Sequence, residues 1–160
     1  MAGRPRGGVA GRARGHSRCM ATRERAAPGS STLYAMRPGI TFDTGALIAL
    51  ERRRQRIARV YTTAVADGLP VTVPAAVLAE WWRGRTDARE IILNGVRLEA
   101  LDEVLAKLAG EAMAAVPGAA TIDAVVMASA ARRGDVVYTS DVLDLTRLQS
   151  HFPTVRILSA

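Results

Sequence analysis

The sequence predicts an α/β fold, a three-layer α/β/α sandwich built on a central parallel sheet of four or five strands. Three observations point there. Short aliphatic and β-branched runs alternate with longer stretches of helical period, which implies parallel strands, right-handed crossovers and helices on both faces. A chain of 160 residues, 49% of them hydrophobic, is the size of one domain with ample material for a core. Finally, an acid, Asp43, stands where the first β-prone run turns helical, at the carboxyl edge of the sheet where open α/β folds bind ligands.

In chain order, Ile40 to Phe42 reads as a buried strand, Thr44-Gly45 as a turn and Ala46 to Leu50 as the start of a helix. From Glu51 to Asp67, the residues Ile57, Val60, Tyr61, Ala64 and Val65 recur with helical spacing until Gly68. Leu69 to Val73 is a second strand, and Pro74 suits the first turn of a helix running through Glu80 to about Arg83. A short helix over Asp87 to Leu93 and a strand over Val96 to Ala100 follow. Leu101, Val104, Leu105, Leu108 and Ala112 form one face of a helix that ends at Pro117-Gly118. Thr121 is the expected N-cap of a helix burying Ile122, Val125, Val126, Ser129 and Ala130, closed by Gly134. Val136 to Thr139 and Val155 to Leu158 are the last strands, and no internal repeat is present.

The net charge of +7 is unevenly spread. Residues 1–36 hold seven Arg against one acid, Glu24, whereas the remainder has 15 Lys or Arg and 14 Asp or Glu. Rich in Gly, Ala and Ser and without hydrophobic period, this extension cannot offset the entropy of ordering and is expected to be disordered. It reads as a basic RNA-contacting arm, a transit-like presequence or, preferred because Met36 sits just ahead of the first strand, a mis-assigned start. Residues 37–160 then form a single domain. The lone Cys19 excludes an internal disulfide and fits a reducing, cytoplasmic setting. No apolar run approaches the roughly 20 residues of a membrane span, so no membrane partner is expected.

Acids recur where such a sheet would gather them. Asp43 follows the first strand, Asp141 follows Val136 to Thr139, Glu80 and Asp123 lie on helices crossing back over the sheet, and Asp144 is three residues beyond Asp141. If the first and fourth strands are neighbours, Asp43 and Asp141 meet. Two unit charges ~4 Å apart repel by roughly 4 kcal/mol at an effective dielectric of ~20, so such a cluster raises a pKa or takes up a cation. All-oxygen donors select Mg²⁺ or Mn²⁺. His16 and His151 are the only histidines and Cys19 the only cysteine, too few N and S donors for a zinc site at the acids. A hard cation beside a carboxylate can activate water and neutralise a phosphoryl oxygen, so phosphodiester hydrolysis is the natural chemistry. Helix capping and solvated surface are the alternative account of each acid taken alone.

The blocks Asp43-Thr44-Gly45-Ala46-Leu47-Ile48-Ala49-Leu50, Leu78-Ala79-Glu80-Trp81-Trp82-Arg83-Gly84, Thr121-Ile122-Asp123-Ala124 and Thr139-Ser140-Asp141-Val142-Leu143-Asp144-Leu145 resemble those of PIN domains. More narrowly, they are similar to those of VapC toxins of bacterial toxin–antitoxin pairs. The resemblance covers residues 38–160 and implies that Asp43, Glu80, Asp123 and Asp141 are catalytic acids binding Mg²⁺ or Mn²⁺, with Asp144 auxiliary. It also implies an endoribonuclease that leaves a 5′-phosphate and 3′-hydroxyl, acts as a homodimer and is silenced by a cognate antitoxin. The basic extension departs from the pattern, because these toxins usually begin close to the first strand. The alternative is an inactive PIN-like RNA-binding or protein-interaction module, against which stand intact acids at all four positions.

Other residues invite roles in RNA binding. Trp81 or Trp82 could stack on a base, although packing is the preferred reading. Arg83, Arg85, Arg132 and Arg133 could hold phosphates, and Arg52 to Arg54 could do so or meet an acidic antitoxin segment. A haloacid-dehalogenase-like phosphatase would carry a second acid where Gly45 stands, and a receiver domain would need a lysine after a late strand, whereas Lys107, the single lysine, is mid-chain.

Overall fold

A computed structural model describes residues 38–160; the basic extension expected over residues 1–36 lies outside them. Five strands, β1 (Ile40–Phe42), β2 (Val71–Pro74), β3 (Arg97–Glu99), β4 (Val136–Thr139) and β5 (Arg156–Ser159), form one sheet in the order β3-β2-β1-β4-β5. Every pairing is parallel. Seven helices flank it: α1 (Thr44–Glu51), α2 (Gln55–Ala66), α3 (Ala75–Trp81), α4 (Asp87–Asn94), α5 (Glu103–Ala115), α6 (Thr121–Arg133) and α7 (Val142–Leu148). No helix among the described residues is long and apolar enough to cross a membrane.

The strand order reverses at β1. The chain moves outward from β1 through β2 to β3, then returns on the other side as β4 and β5. The gap between β1 and β4 is thus the topological switch point, where the carboxyl ends of parallel strands open a crevice. The register pairs Phe42 with Tyr138, and the Asp43 N–H continues the ladder to the Tyr138 carbonyl at 3.3 Å. Asp43 and the residues after β4 are thereby brought to one edge.

The core lies beneath α6, whose residues Ala124 to Ala130 are all buried and which packs on β1, β2 and β4. Phe42, Leu47, Ile57, Val73, Leu105 and Val137 are fully buried around it. Small side chains on α6 permit close approach to the sheet, and α5 covers its outer side.

Several local expectations are corrected. The turn at Thr44-Gly45 is already helix, with Asp43 as N-cap. The helix expected from Glu51 is two helices broken at Arg52 to Arg54, where Arg53 adopts φ 54°. Pro74 closes β2 and precedes α3 instead of lying in its first turn. Thr121 is the first helical residue of α6, and Ala120 is the N-cap with no side-chain bond. Leu101 and Val104, expected on a buried face, are exposed, whereas Leu105, Ala109 and Ala112 are buried.

Candidate functional site

Asp43 is buried, and its position follows from local sequence. Its extended backbone ends β1, and its Oδ1 accepts the Ala46 N–H at 2.6 Å, satisfying an orphan donor of α1. Burial pushes its carboxyl up from the ordinary value, and the charges of Glu80 and Asp141 add to that; hydrogen bonds from the Thr139 hydroxyl and the Ala46 amide act the other way. Thr139 also takes the Asp141 N–H at 2.8 Å. One buried threonine at the end of β4 therefore accepts from the backbone of Asp141 and acts to lower the carboxyl pKa of Asp43.

Asp141 caps α7, its Oδ1 accepting the Asp144 N–H at 3.3 Å. Glu80, on the last turn of α3, accepts a hydrogen bond from the Thr44 hydroxyl. Asp123 enters from the first turn of α6. Its pKa is raised from 3.8 to about 6, first by burial, then by the charges of Asp144, Asp43, Asp141 and Glu80. All five expected acids thus share one electrostatic field, and no cationic side chain among the described residues is ion-paired with any of them. Among the described residues no three of them stand at metal-ligating spacing. Asp43 is held by its cap bond, whereas Glu80, Asp141 and Asp144 are exposed, with rotamers that can adjust.

Close approach depends on Gly45. A β-carbon there would stand 1.9 Å from Ser140 Oγ and 2.9 Å from its Cβ, so a glycine in the first turn of α1 lets that helix seat against the β4–α7 turn. Beside the acids a cavity of about 620 Å³ is lined by Thr44, Glu51, Arg52, Glu80, Arg83 and Arg89, among others.

The residues considered for RNA contact divide. Arg83 is exposed and lines this cavity. Trp81 is 2% exposed, and its Nε1 donates to Glu51 Oε2 at 3.0 Å with the Arg89 guanidinium 5.6 Å over its ring; burial removes it as a stacking platform. Trp82 is half-buried in an apolar groove with Leu78 and Leu93. Arg132 is engaged by Asp102 at 3.2 Å, Arg85 by Glu90 at 3.2 Å, and Arg133 is buried in ion pairs with Asp135 and Glu99. Sequence reasoning missed Thr44 and Glu51. The hydroxyl beside Asp43 was the visible signal for the first, whereas Glu51 stood unmarked in an arginine-rich run.

Comparison with known proteins agrees with this fold. No curated protein matches the sequence. Among solved structures, the chain is similar to one of DNA-bound VapBC from Salmonella typhimurium (TM-score 0.62, 16% identity, covering 76% of this chain and 98% of that one). It is equally similar to one of VapBC2 from Rickettsia felis bound to a promoter DNA fragment (TM-score 0.62, 10% identity, 76% and 98%). FitAcB from Neisseria gonorrhoeae gives a TM-score of 0.52 at 19% identity over 74% of this chain and 96% of that one. The family model for the PIN domain matches residues 40–143, from the first residue of β1 to just past the acid after β4, and the chain belongs to the PIN domain family.

Proposed function

We propose that this protein is a metal-dependent endoribonuclease, the toxin of a toxin–antitoxin pair, working in the cytoplasm as a homodimer and inhibited by a cognate antitoxin. PIN domains are typically nucleases. The observation that carries the reading is the convergence of Asp43, Glu80, Asp123, Asp141 and Asp144 at the switch point, with Asp123 raised to about 6 by burial and by the other four. A protein keeps so many like charges together at a cost in stability, which is the mark of a site built for a cation or for proton transfer. The VapC-like motif blocks and the fold shared with VapBC complexes support the toxin assignment.

The donor set is entirely oxygen, which fits Mg²⁺ or Mn²⁺. Asp43, Glu80, Asp123 and Asp141 would hold the ion, with Asp144 at the margin. Such an ion, when bound, activates water and neutralises charge on a phosphoryl oxygen. Asp43 supplies a carboxylate fixed in orientation by its bond to Ala46. Thr44 donates to Glu80, and Thr139 accepts the Asp141 N–H beside Asp43. Asp123, whose carboxyl is pushed up to about 6 by burial and by the other acids, is the member of the set whose charge a cation would relieve most. Arg83, exposed in the lining of the same cavity, would meet an RNA phosphate.

The test is cleavage of single-stranded or looped RNA by antitoxin-free protein with Mg²⁺ or Mn²⁺. EDTA should stop it, and Asp43→Ala should abolish it while leaving the protein folded by circular dichroism. Cleavage by Asp43→Ala at the wild-type rate would overturn the assignment.

A further inference from the structure

From Arg52 to Ala66 the chain carries Arg52, Arg53, Arg54, Arg56 and Arg59 and no acid, although the part from residue 37 onward is nearly charge-balanced. The fold concentrates three of these charges. At the end of α1 the Arg53 N–H returns to the Leu50 carbonyl and the Arg54 N–H to the Ala49 carbonyl, both at 2.9 Å, with Arg53 at φ 54°. This Schellman closure turns the chain sharply into α2. Arg52, Arg54 and Arg56 then line a cavity of about 730 Å³ that Gly45 and Ser140 also line, the pair that seats α1 against the turn leading to Asp141. All three arginines are exposed, and none has an ion-pair partner among the described residues, whereas Arg85, Arg89, Arg132 and Arg133 are all paired. Ile48 and Arg52 line this cavity and the one beside Glu80 alike, so the two border one another.

We infer that the α1–α2 elbow is a polyphosphate-binding groove in which Arg52, Arg54 and Arg56 hold the RNA backbone flanking the phosphate at the acid cluster. The inference rests on the nuclease reading and adds the path of the strand to it. Three unpaired guanidiniums beside an acidic centre solve a problem that the centre creates. Carboxylates repel an approaching polyanion, and a nearby basic wall offsets that repulsion and releases counterions as the strand binds. RNA is favoured over an acidic peptide because the groove abuts the acids, where a phosphodiester has chemistry to undergo.

The test is binding of a labelled single-stranded RNA to the full chain in EDTA, across a series of salt concentrations, for wild type, R54Q/R56Q and R97Q/R156Q. Arg54 and Arg56 line only the second cavity. Arg97 and Arg156, exposed first residues of the two edge strands β3 and β5, are a charge-matched control at the amino ends of the strands, away from the carboxyl ends that carry the acids. Removing two phosphate contacts should lower the magnitude of the log Kd versus log salt slope by about 1.4, at about 0.7 per contact, and weaken low-salt binding roughly tenfold. The control should leave the slope near wild type. Equal effects of the two doubles, or none from R54Q/R56Q, would overturn the inference. So would R54Q/R56Q losing affinity for an oligoglutamate while keeping RNA affinity, which would assign the groove to an acidic protein segment. Wild type that binds and cuts no RNA with metal present would instead overturn the nuclease reading.

Discussion

Helix α6 runs between two polar clusters of opposite design. At its last turns Arg133 is surrounded by partners: Asp135 at 2.8 Å, Glu99 at 2.7 Å, and the hydroxyls of Thr41 and Ser129 at 3.0 and 2.9 Å. Each partner is satisfied in turn. Thr41 donates to Asp135, Ser129 donates to Glu99, and the other oxygen of Asp135 accepts the Gly39 N–H. At the first turn Asp123 meets acids alone. With Arg132 also reaching Glu99 at 3.8 Å, two guanidiniums meet two carboxylates, and this balanced charge joins β1, β3, α6 and the turn into β4 and holds the fold; unbalanced charge at the switch point opposes folding. The difference separates architecture from candidate chemistry without reference to any relative.

The largest expected effect is at the balanced end. Arg133→Ala leaves Asp135, 1% exposed, without a cation and Glu99 with Arg132 alone, and should cost about 3–5 kcal/mol in denaturant unfolding. Arg133→Lys keeps the charge but cannot fork to four partners, so an intermediate loss is expected. A loss below about 1 kcal/mol for Arg133→Ala would show that the network is dispensable and break the contrast.

The opposite sign is expected at the acid end. The folded pKa of Asp123, about 6, exceeds its value of 3.8 outside the fold. The folded state therefore binds this proton more tightly. Its stabilising contribution is complete below about pH 4 and is lost as pH rises through about 6. In EDTA the wild type should lose of order 2 kcal/mol across that window. Asp123→Asn should lack this portion and be the more stable protein at neutral pH, though inactive. Mg²⁺ or Mn²⁺ should stabilise wild type more than the variant. Lower stability of Asp123→Asn at pH 7 in EDTA would sink the account of the cluster as unbalanced.

The two ends were unequally legible in sequence. Asp43 and Asp141 could be placed because β-prone runs end abruptly at acids, and parallel topology then brings strand ends together. Arg133 could not, because its partners Thr41, Glu99, Ser129 and Asp135 converge only once the sheet order is known; in the sequence it resembled a solvated arginine. Packing, the preferred reading of Trp81, is what the fold shows, but its partners Glu51 and Arg89 carry no signal in the sequence. Helix ends show the same limit. Gly68 and Arg53 close α2 and α1 with the same pair of returning N–H bonds, but glycine advertises a left-handed residue and arginine does not.

The smallest expected stability effect concerns how closely the acid end is assembled. In Gly45→Ala the new β-carbon meets Ser140 Oγ, Cβ and backbone N at 1.9, 2.9 and 3.1 Å. Alanine gains up to ~1 kcal/mol of helix propensity over glycine, and overpacking costs about 1–3 kcal/mol, so a net loss of about 1 kcal/mol is expected. Cleavage should suffer far more, by about 10²-fold, because the shift moves Asp43 relative to Asp141 and a displacement of ~1 Å is enough for such a loss. Gly45→Ala combined with Ser140→Gly removes the two closest clashes and should recover much of both stability and rate. A Gly45→Ala protein that cuts RNA as fast as wild type would mean that the acids are spaced by the strand register alone, with the α1–β4 contact incidental to them.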